Sequence, residues 1–211
     1  MDKIILIGAG GHSKVIKDII LATPNFELYG VVDDAINETH IINGVTFSNT
    51  SLLREIDVYK YMFLIAIGNN DTRKRLVNSL SIPEQRFATV IHPSATISKT
   101  ANIGRGTVIM PQVVINADTI IGEHCIINTG SIIEHDNKIG NYVHVSPSAT
   151  LTGSVSVGEG AHIGAGSTVI PSKAIGKWTT IGAGAVVIND INSKTIAVGV
   201  PAREINSIEK R

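Results

Sequence analysis

The stretch Ile121-Gly122-Glu123-His124-Cys125-Ile126-Ile127-Asn128-Thr129-Gly130-Ser131-Ile132-Ile133 places an aliphatic residue at 121, 127 and 133, and the spacing extends far in both directions. From Ile91 to Val187 every sixth residue is Ile, Val or Leu, seventeen in succession. Four places after each aliphatic the side chain is nearly always small: Ala95, Ala101, Thr107, Thr119, Cys125, Ser131, Ala149, Ala161, Ser167, Thr179 and Ala185 among them. A period of six matches neither the 3.6 of a helix nor the 2 of a plain strand. It predicts a chain that turns a corner every six residues and closes one coil in 18, with the aliphatic inside and the small residue near the corner. Coils stacked ~4.8 Å apart give a prism about 27 Å tall.

The recurring pattern Ile-Gly-x-x-small-x, at Ile103, Ile121, Ile139, Ile163, Ile175 and Ile181, resembles that of the hexapeptide-repeat acyltransferases. The resemblance implies a left-handed parallel β-helix. Handedness rests on it alone, because parallel crossovers are in general right-handed.

Ahead of the repeat the pattern changes. Lys3-Ile4-Ile5-Leu6-Ile7 reads as a buried strand, Gly8-Ala9-Gly10-Gly11-His12-Ser13 as a tight turn, and Lys14 to Ala22 as a helix burying Val15, Ile16, Ile19 and Ile20. A second strand, Leu28 to Val32, runs into Asp33-Asp34. A third, Phe63 to Ile67, runs into Gly68-Asn69-Asn70 and a helix from Asp71 to Leu80. This alternation predicts a small Rossmann-like α/β domain with a parallel sheet over residues 1–88, followed by the β-helix over 89–211. The strand ends at Gly10, Asp33 and Gly68 should meet at one sheet edge, where open α/β folds bind ligands and where backbone N–H groups face an anion. NAD and a purely structural turn both fit the G-x-G-x-x-S pattern. The domain is about half the size of a two-part dinucleotide fold, which favours a smaller nucleotide-linked ligand.

Composition narrows the partners. Eighteen acidic and eighteen basic side chains balance, with no Lys/Arg run, so neither a nucleic-acid backbone nor an anionic membrane is expected as the main partner. No apolar run is long enough to span a bilayer and none ends like a leader peptide, which points to a cytoplasmic protein. The single cysteine, Cys125, falls on an inward small position and reads as core filler.

Within so regular a repeat, departures carry information. The hexad Ile133-Glu134-His135-Asp136-Asn137-Lys138 puts Asn137 at a position that is elsewhere small or apolar, after three polar residues. Gly153, 18 residues beyond His135, leaves room beside the imidazole. Moving an acyl group from a thioester to an amine or hydroxyl requires a base for the acceptor's proton and a donor for the oxyanion. His135 is the candidate base, Asp136 its orienting carboxylate and the Gly153 N–H the oxyanion donor. His144 and His162, also 18 apart, could stack or share a metal with His124. Because His124, His135 and His144 occupy three different hexad positions, no metal site is expected.

From end to end the chain is similar to the bacterial sugar O- and N-acetyltransferases of the sialic-acid O-acetyltransferase group. The similarity is carried by Gly8-Ala9-Gly10-Gly11-His12, Ile65-Ala66-Ile67-Gly68-Asn69-Asn70, Val90-Ile91-His92-Pro93-Ser94-Ala95, Ile132-Ile133-Glu134-His135-Asp136, Tyr142-Val143-His144-Val145-Ser146 and Val198-Gly199-Val200-Pro201-Ala202-Arg203. This resemblance implies an acetyl-CoA-dependent enzyme with His135 as base, Asp136 beside it where relatives carry an acid, and His144, Ala165 and Ala183 against acetyl-CoA. It implies nucleotide-sugar contacts at Gly10, Gly11, His12, Asp33, Asp34, Ile67 and Gly68, and an acceptor pocket near Asn128 and Glu134. The CoA tail would end around Lys173, Lys177 and Pro201. It further implies a homotrimer with active sites between prisms, N-acetylating a nucleotide-linked amino sugar for bacterial surface or protein glycans. The alternatives are O-acetylation of a sialic-acid-type sugar and a non-catalytic nucleotide-sugar-binding trimer.

Overall fold

A computed structural model describes residues 1–207, so the last residues of the second predicted domain, 208–211, lie outside the described residues. The chain begins with an α/β unit built from β1 (Asp2–Ile7), α1 (Gly11–Ala22), β2 (Phe26–Val32), β3 (His40–Ile42), β4 (Val45–Ser48), α2 (Leu52–Glu55), β5 (Met62–Ile65) and α3 (Asn70–Ser79). The sheet order is β3-β4-β2-β1-β5. All neighbours run parallel except β3 and β4, a hairpin closed by Asn43 and Gly44, both with positive φ. Asn-Gly is the dipeptide that such two-residue turns favour. Strand β1 is central and covered on both faces, which is why Ile4 to Ile7 form an unbroken apolar run. On α1 the buried face is Ser13, Ile16, Ile19 and Ile20, whereas Val15 is exposed, contrary to the periodicity reading. Ser13 satisfies its hydroxyl on the Gly10 carbonyl at 2.7 Å.

From Val90 onward the chain coils. Two-residue strands recur every six residues from Val90–Ile91 to Val186–Val187 and stack in three parallel sheets. The register runs Val90 to Val108 to Ile126 to His144 to His162 to Thr180, one 18-residue coil at each step. The coils wind left-handed. Every sixth residue from Gly106 to Gly184 has φ between +54° and +69°. These left-handed residues make the corners, and each side chain other than glycine there is held against an intrinsic cost of roughly 1 kcal/mol by the paired coils around it.

Small polar residues inside the corners have a second role. Thr107, Thr119 and Cys125 each bond the carbonyl fifteen positions ahead, on the next coil: Gly122, Glu134 and Gly140. The end of the prism is closed by Thr195–Val198 pairing antiparallel with Arg203–Ser207. Among the described residues no helix is long and apolar enough to cross a membrane.

The α/β unit sits on one edge of the prism. Its core is continuous with the coils: Ile16, Ile19 and Ile20 of α1 belong to the same buried cluster as Val90, Val108 and the prism interior. Helix α3 reaches the corners at His124, Tyr142 and Gly160 through Asn70 and Arg73. Lys74 pairs with Glu159 and lies 5.3 Å from the Trp178 ring and 5.8 Å from that of Tyr142.

Candidate active site

The hexad singled out by its polarity forms a corner between the strands Ile132–Ile133 and Lys138–Ile139. His135 and Asp136 are both exposed there, and His135 Nδ1 lies 2.7 Å from Asp136 Oδ2. An ionised carboxylate only accepts, so the proton belongs on Nδ1 and the lone pair on Nε2. Gly153 lies one coil on, where a Cβ would come within 2.7 Å of His135 Cε1 and Nε2. Any larger side chain at 153 would therefore displace the imidazole from this position. The Gly153 carbonyl accepts from Ser172 N, while among the described residues its own N–H has no partner. An imidazole, a carboxylate at its Nδ1 and a backbone N–H that pairs with none of the described residues thus lie together at this corner, group types that acyl transfer can use.

Asn137, the departure from the repeat, serves the corner itself. Its side chain points into the prism, fully buried, and Nδ2 donates to the carbonyls of Glu134 at 2.6 Å, Thr152 at 2.9 Å and His135 at 3.3 Å. It follows the fifteen-residue rule of its neighbours and also grips its own corner. Beside it, Glu134 accepts from Asn116 Nδ2 at 2.7 Å.

The α/β strand ends meet as the alternation predicts. Ala9 N donates to Asp33 Oδ2 at 2.7 Å, Gly8 N donates to Val32 O, and Gly8 packs on Ile67. Asp33 and Asp34 are partly engaged in this architecture: Asp33 Oδ1 accepts from Ala35 N, and Asp34 Oδ1 accepts from the N–H and hydroxyl of Thr50. Gly10, Gly11 and Gly68 each have nothing within 4 Å of where a Cβ would stand, so each borders open space.

His12 leads from that space to the prism. Its ring centroid is 6.4 Å from that of His144, which is 4.8 Å from that of His162. Asn128 Nδ2 lies 3.1 Å from His144 Nε2, and Ser146 Oγ lies 3.0 Å from His162 Nε2. Burial, helped by the nearby Arg73 charge, holds His12 down at about 4. Burial and the adjoining His162 hold His144 at about 3, opposed by the Gly68 backbone, although among the described residues His144 Nδ1 makes no hydrogen bond. His162 is lowered by the same burial and the same Arg73 charge. Such imidazoles are neutral at physiological pH and available as hydrogen-bonding groups.

His124 packs edge-on against Phe87 and face-on against Tyr142, and burial lowers it to about 4. It belongs to the joint between the units. Among the described residues no three His, Cys, Asp or Glu side chains gather as metal ligands. Cys125 is buried and pushed up to about 12, as a core thiol should be.

Ala165 and Ala183 are exposed at corners one coil apart, with Gly184 N bonded to Ala165 O. Lys173 takes a small-residue corner position and is half-buried, and Lys177 is exposed. The single chain separates the two halves of the predicted site. His135 stands on a different edge from the one that receives α3, so His135 and the Gly10–His12 turn are not brought together within one chain.

Sequence reasoning passed over Arg73 and quoted Asn70 only as part of a motif, without a role. Their signal was available in the polar run Asn69-Asn70-Asp71-Thr72-Arg73 after an apolar strand, but its target carbonyls belong to corners 51 to 91 residues away.

The fold is a left-handed β-helix of the hexapeptide transferase type with an appended α/β unit. Residues 3–80 match the PglD N-terminal domain family and residues 100–135 match the bacterial transferase hexapeptide family. The acetyltransferase domain of PglB from Neisseria gonorrhoeae is 31% identical with a TM-score of 0.89, covering 97% of this chain and all of that one. A perosamine N-acetyltransferase mutant from Caulobacter crescentus, in complex with CoA and GDP-perosamine, is 34% identical with a TM-score of 0.88, covering 98% of both chains. The UDP-N-acetylbacillosamine N-acetyltransferase of Bacillus subtilis is 49% identical over 112 residues, a match spanning about half of each protein. The chain belongs to the family of bacterial hexapeptide-repeat sugar acetyltransferases that carry a PglD-type N-terminal domain.

Proposed function

We propose that this protein transfers the acetyl group of acetyl-CoA to the amino group of a nucleoside-diphosphate-linked amino sugar. The observation that carries this reading is the exposed His135 imidazole, tied at Nδ1 by Asp136 and facing Gly153 with its other nitrogen. The names of the Bacillus and Caulobacter relatives support an amine acceptor over a hydroxyl, and the Caulobacter complex supports a nucleotide sugar and CoA as the two substrates. A purely binding function leaves the His135–Asp136 pair without a task.

His135 Nε2 takes a proton from the amine as its nitrogen attacks the thioester carbonyl. The Gly153 N–H stabilises the oxyanion, and collapse of the tetrahedral intermediate expels the CoA thiolate, which recovers the proton from His135. Both substrates are present together, with no acyl-enzyme. Residues 1–88 hold the nucleotide sugar through Gly10, Gly11, His12, Asp33, Asp34, Ile67 and Gly68. The prism, residues 89–211, holds acetyl-CoA along His144, Ala165 and Ala183.

The working form is a homotrimer, because a neighbouring prism supplies the base that one chain keeps away from its own Gly10–His12 turn. An acetyl-CoA substrate supports a cytoplasmic reaction. The test is thiol release from acetyl-CoA with UDP- and GDP-linked 4-amino sugars. Turnover with at least one of them, lost by 100-fold or more in His135→Ala with acetyl-CoA binding intact, is the expected result; turnover retained by that variant refutes the assignment.

A further inference from the structure

Arg73, on α3, is among the largest fully buried side chains, with 1% of its surface exposed. All five of its N–H donors are engaged. Nε donates to His124 O at 2.7 Å; Nη1 donates to Ile67 O at 3.0 Å and Gly68 O at 3.2 Å; Nη2 donates to Asn70 Oδ1 and Tyr142 O, both at 2.9 Å. Asn70 Nδ2 in turn donates to Gly160 O and Ala161 O at 3.1 Å.

His124, Tyr142 and Gly160 are the left-handed corner residues of three consecutive coils, with φ +54°, +59° and +69°. Their N–H groups are spent on the preceding coil, at Arg105, Glu123 and Asn141. Their carbonyls form a ladder along one prism edge, one rung per 18 residues. Arg73 takes the first two rungs and Asn70 the third.

We propose that Arg73 is a positioning residue for substrate, fixing the nucleotide-sugar loop at Ile67–Gly68 to this carbonyl ladder so that the sugar is held in register with the prism. The inference rests on the proposed nucleotide-sugar reading, since it concerns how that loop is held. Two features set Arg73 apart from ordinary domain glue. Among the described residues it has no carboxylate partner, and a buried cation without a counter-ion is costly, so apolar packing would join the units more cheaply. And two of its donors serve the substrate loop itself, the carbonyls immediately before the turn that borders open space, as Gly10 and Gly11 each do. Burial is the main reason His12 and His144 stay neutral, and the same Arg73 charge adds to it.

The test uses the full chain and its best nucleotide amino sugar. In Arg73→Lys, an ammonium with three donors cannot span the loop and two rungs. Its KM for the nucleotide sugar should rise at least 10-fold while KM for acetyl-CoA stays within twofold. Asn70→Ala, which removes one rung, should raise the sugar KM about threefold with the same selectivity. Circular dichroism and the thermal transition report whether each variant folds. An unchanged sugar KM in folded Arg73→Lys, or equal loss for both substrates, overturns the proposal. If Arg73→Lys does not fold, an unchanged sugar KM in Asn70→Ala overturns it. A wild-type protein that releases no thiol with any nucleotide amino sugar overturns the functional reading instead.

Discussion

His135 and Asp136 are neighbours in the chain, and their side chains meet across a 2.7 Å Nδ1–Oδ2 contact because Asp136 occupies the left-handed corner of its coil at φ +59°. In an extended strand adjacent side chains point to opposite faces. The corner reverses that and makes a dyad from consecutive residues. Asp136→Asn keeps the shape but no longer enforces the Nδ1–H tautomer or stabilises the imidazolium. We expect kcat to fall about 10-fold with KM for acetyl-CoA unchanged, whereas Asp136→Glu retains a carboxylate and should keep more activity than Asp136→Asn. Steady-state kinetics of the variants decide it.

Gly153 is the other side of the dyad. Its φ is not in the left-handed region, so alanine suits the backbone, yet the new methyl would meet the His135 ring at 2.7 Å. The exposed ring can swing away, so stability should change little. Its aim cannot survive the swing. Gly153→Ala should leave the melting temperature within a few degrees and cut kcat by 10-fold or more; normal kcat in this variant would mean that His135 does not work from the orientation described.

Asn137 holds the dyad from beneath. Removing its amide leaves the Glu134 and Thr152 carbonyls without this donor inside the prism, at a cost of roughly 1–3 kcal/mol. Asn137→Ala should lower stability by that amount in chemical denaturation and lower kcat as the corner loosens. Asn137→Thr can still reach the carbonyl fifteen residues ahead, as Thr119 does, and should recover much of the stability but less of the rate.

The contrast between these residues explains what could be read from the chain alone. The prism is written locally, in one aliphatic every six residues and a small residue four places later, so its fold and the unusual hexad at Ile133 were both legible. That His135, Asp136 and Gly153 lie side by side followed because one coil is always 18 residues. Asn137 was visible as an exception, and its hexad position, the one Cys125 also fills, is inward; its partners were not legible, because they are backbone carbonyls. The seating of the α/β unit was invisible, because Arg73 and Asn70 bind backbone oxygens, and a carbonyl has no residue type to recognise. The β3–β4 hairpin went unread although Asn43-Gly44 marks its turn, because the run His40–Ile42 is short, exposed and easily read as loop.

Cys125 offers a check on the packing. With the thiol buried, bonded to the Gly140 carbonyl and pushed up to about 12, almost no thiolate exists at pH 8. Alkylation by iodoacetamide should be undetectable over hours in the native protein and rapid in denaturant. Stoichiometric native labelling accompanied by loss of activity would contradict the closed interior.

Acid should unfold the protein through its buried histidines. His12, His124 and His144 are held at about 4, 4 and 3, below their ordinary 6.5, so the unfolded chain binds more protons than the folded one between those values. Stability is therefore complete above pH 6.5 and falls as the pH drops through the window from 6.5 toward 4, by about 1.4 kcal/mol per pH unit for each histidine at the steepest part. All three lie where the α/β unit meets the prism, so the joint is the element under load. Urea denaturation from pH 7.5 to pH 4.5 should show a falling midpoint, and His124→Phe, which keeps a ring against Phe87 and Tyr142 without a titrating group, should flatten that dependence. A midpoint independent of pH across the window would show that these imidazoles are solvated, and with them the interface they occupy.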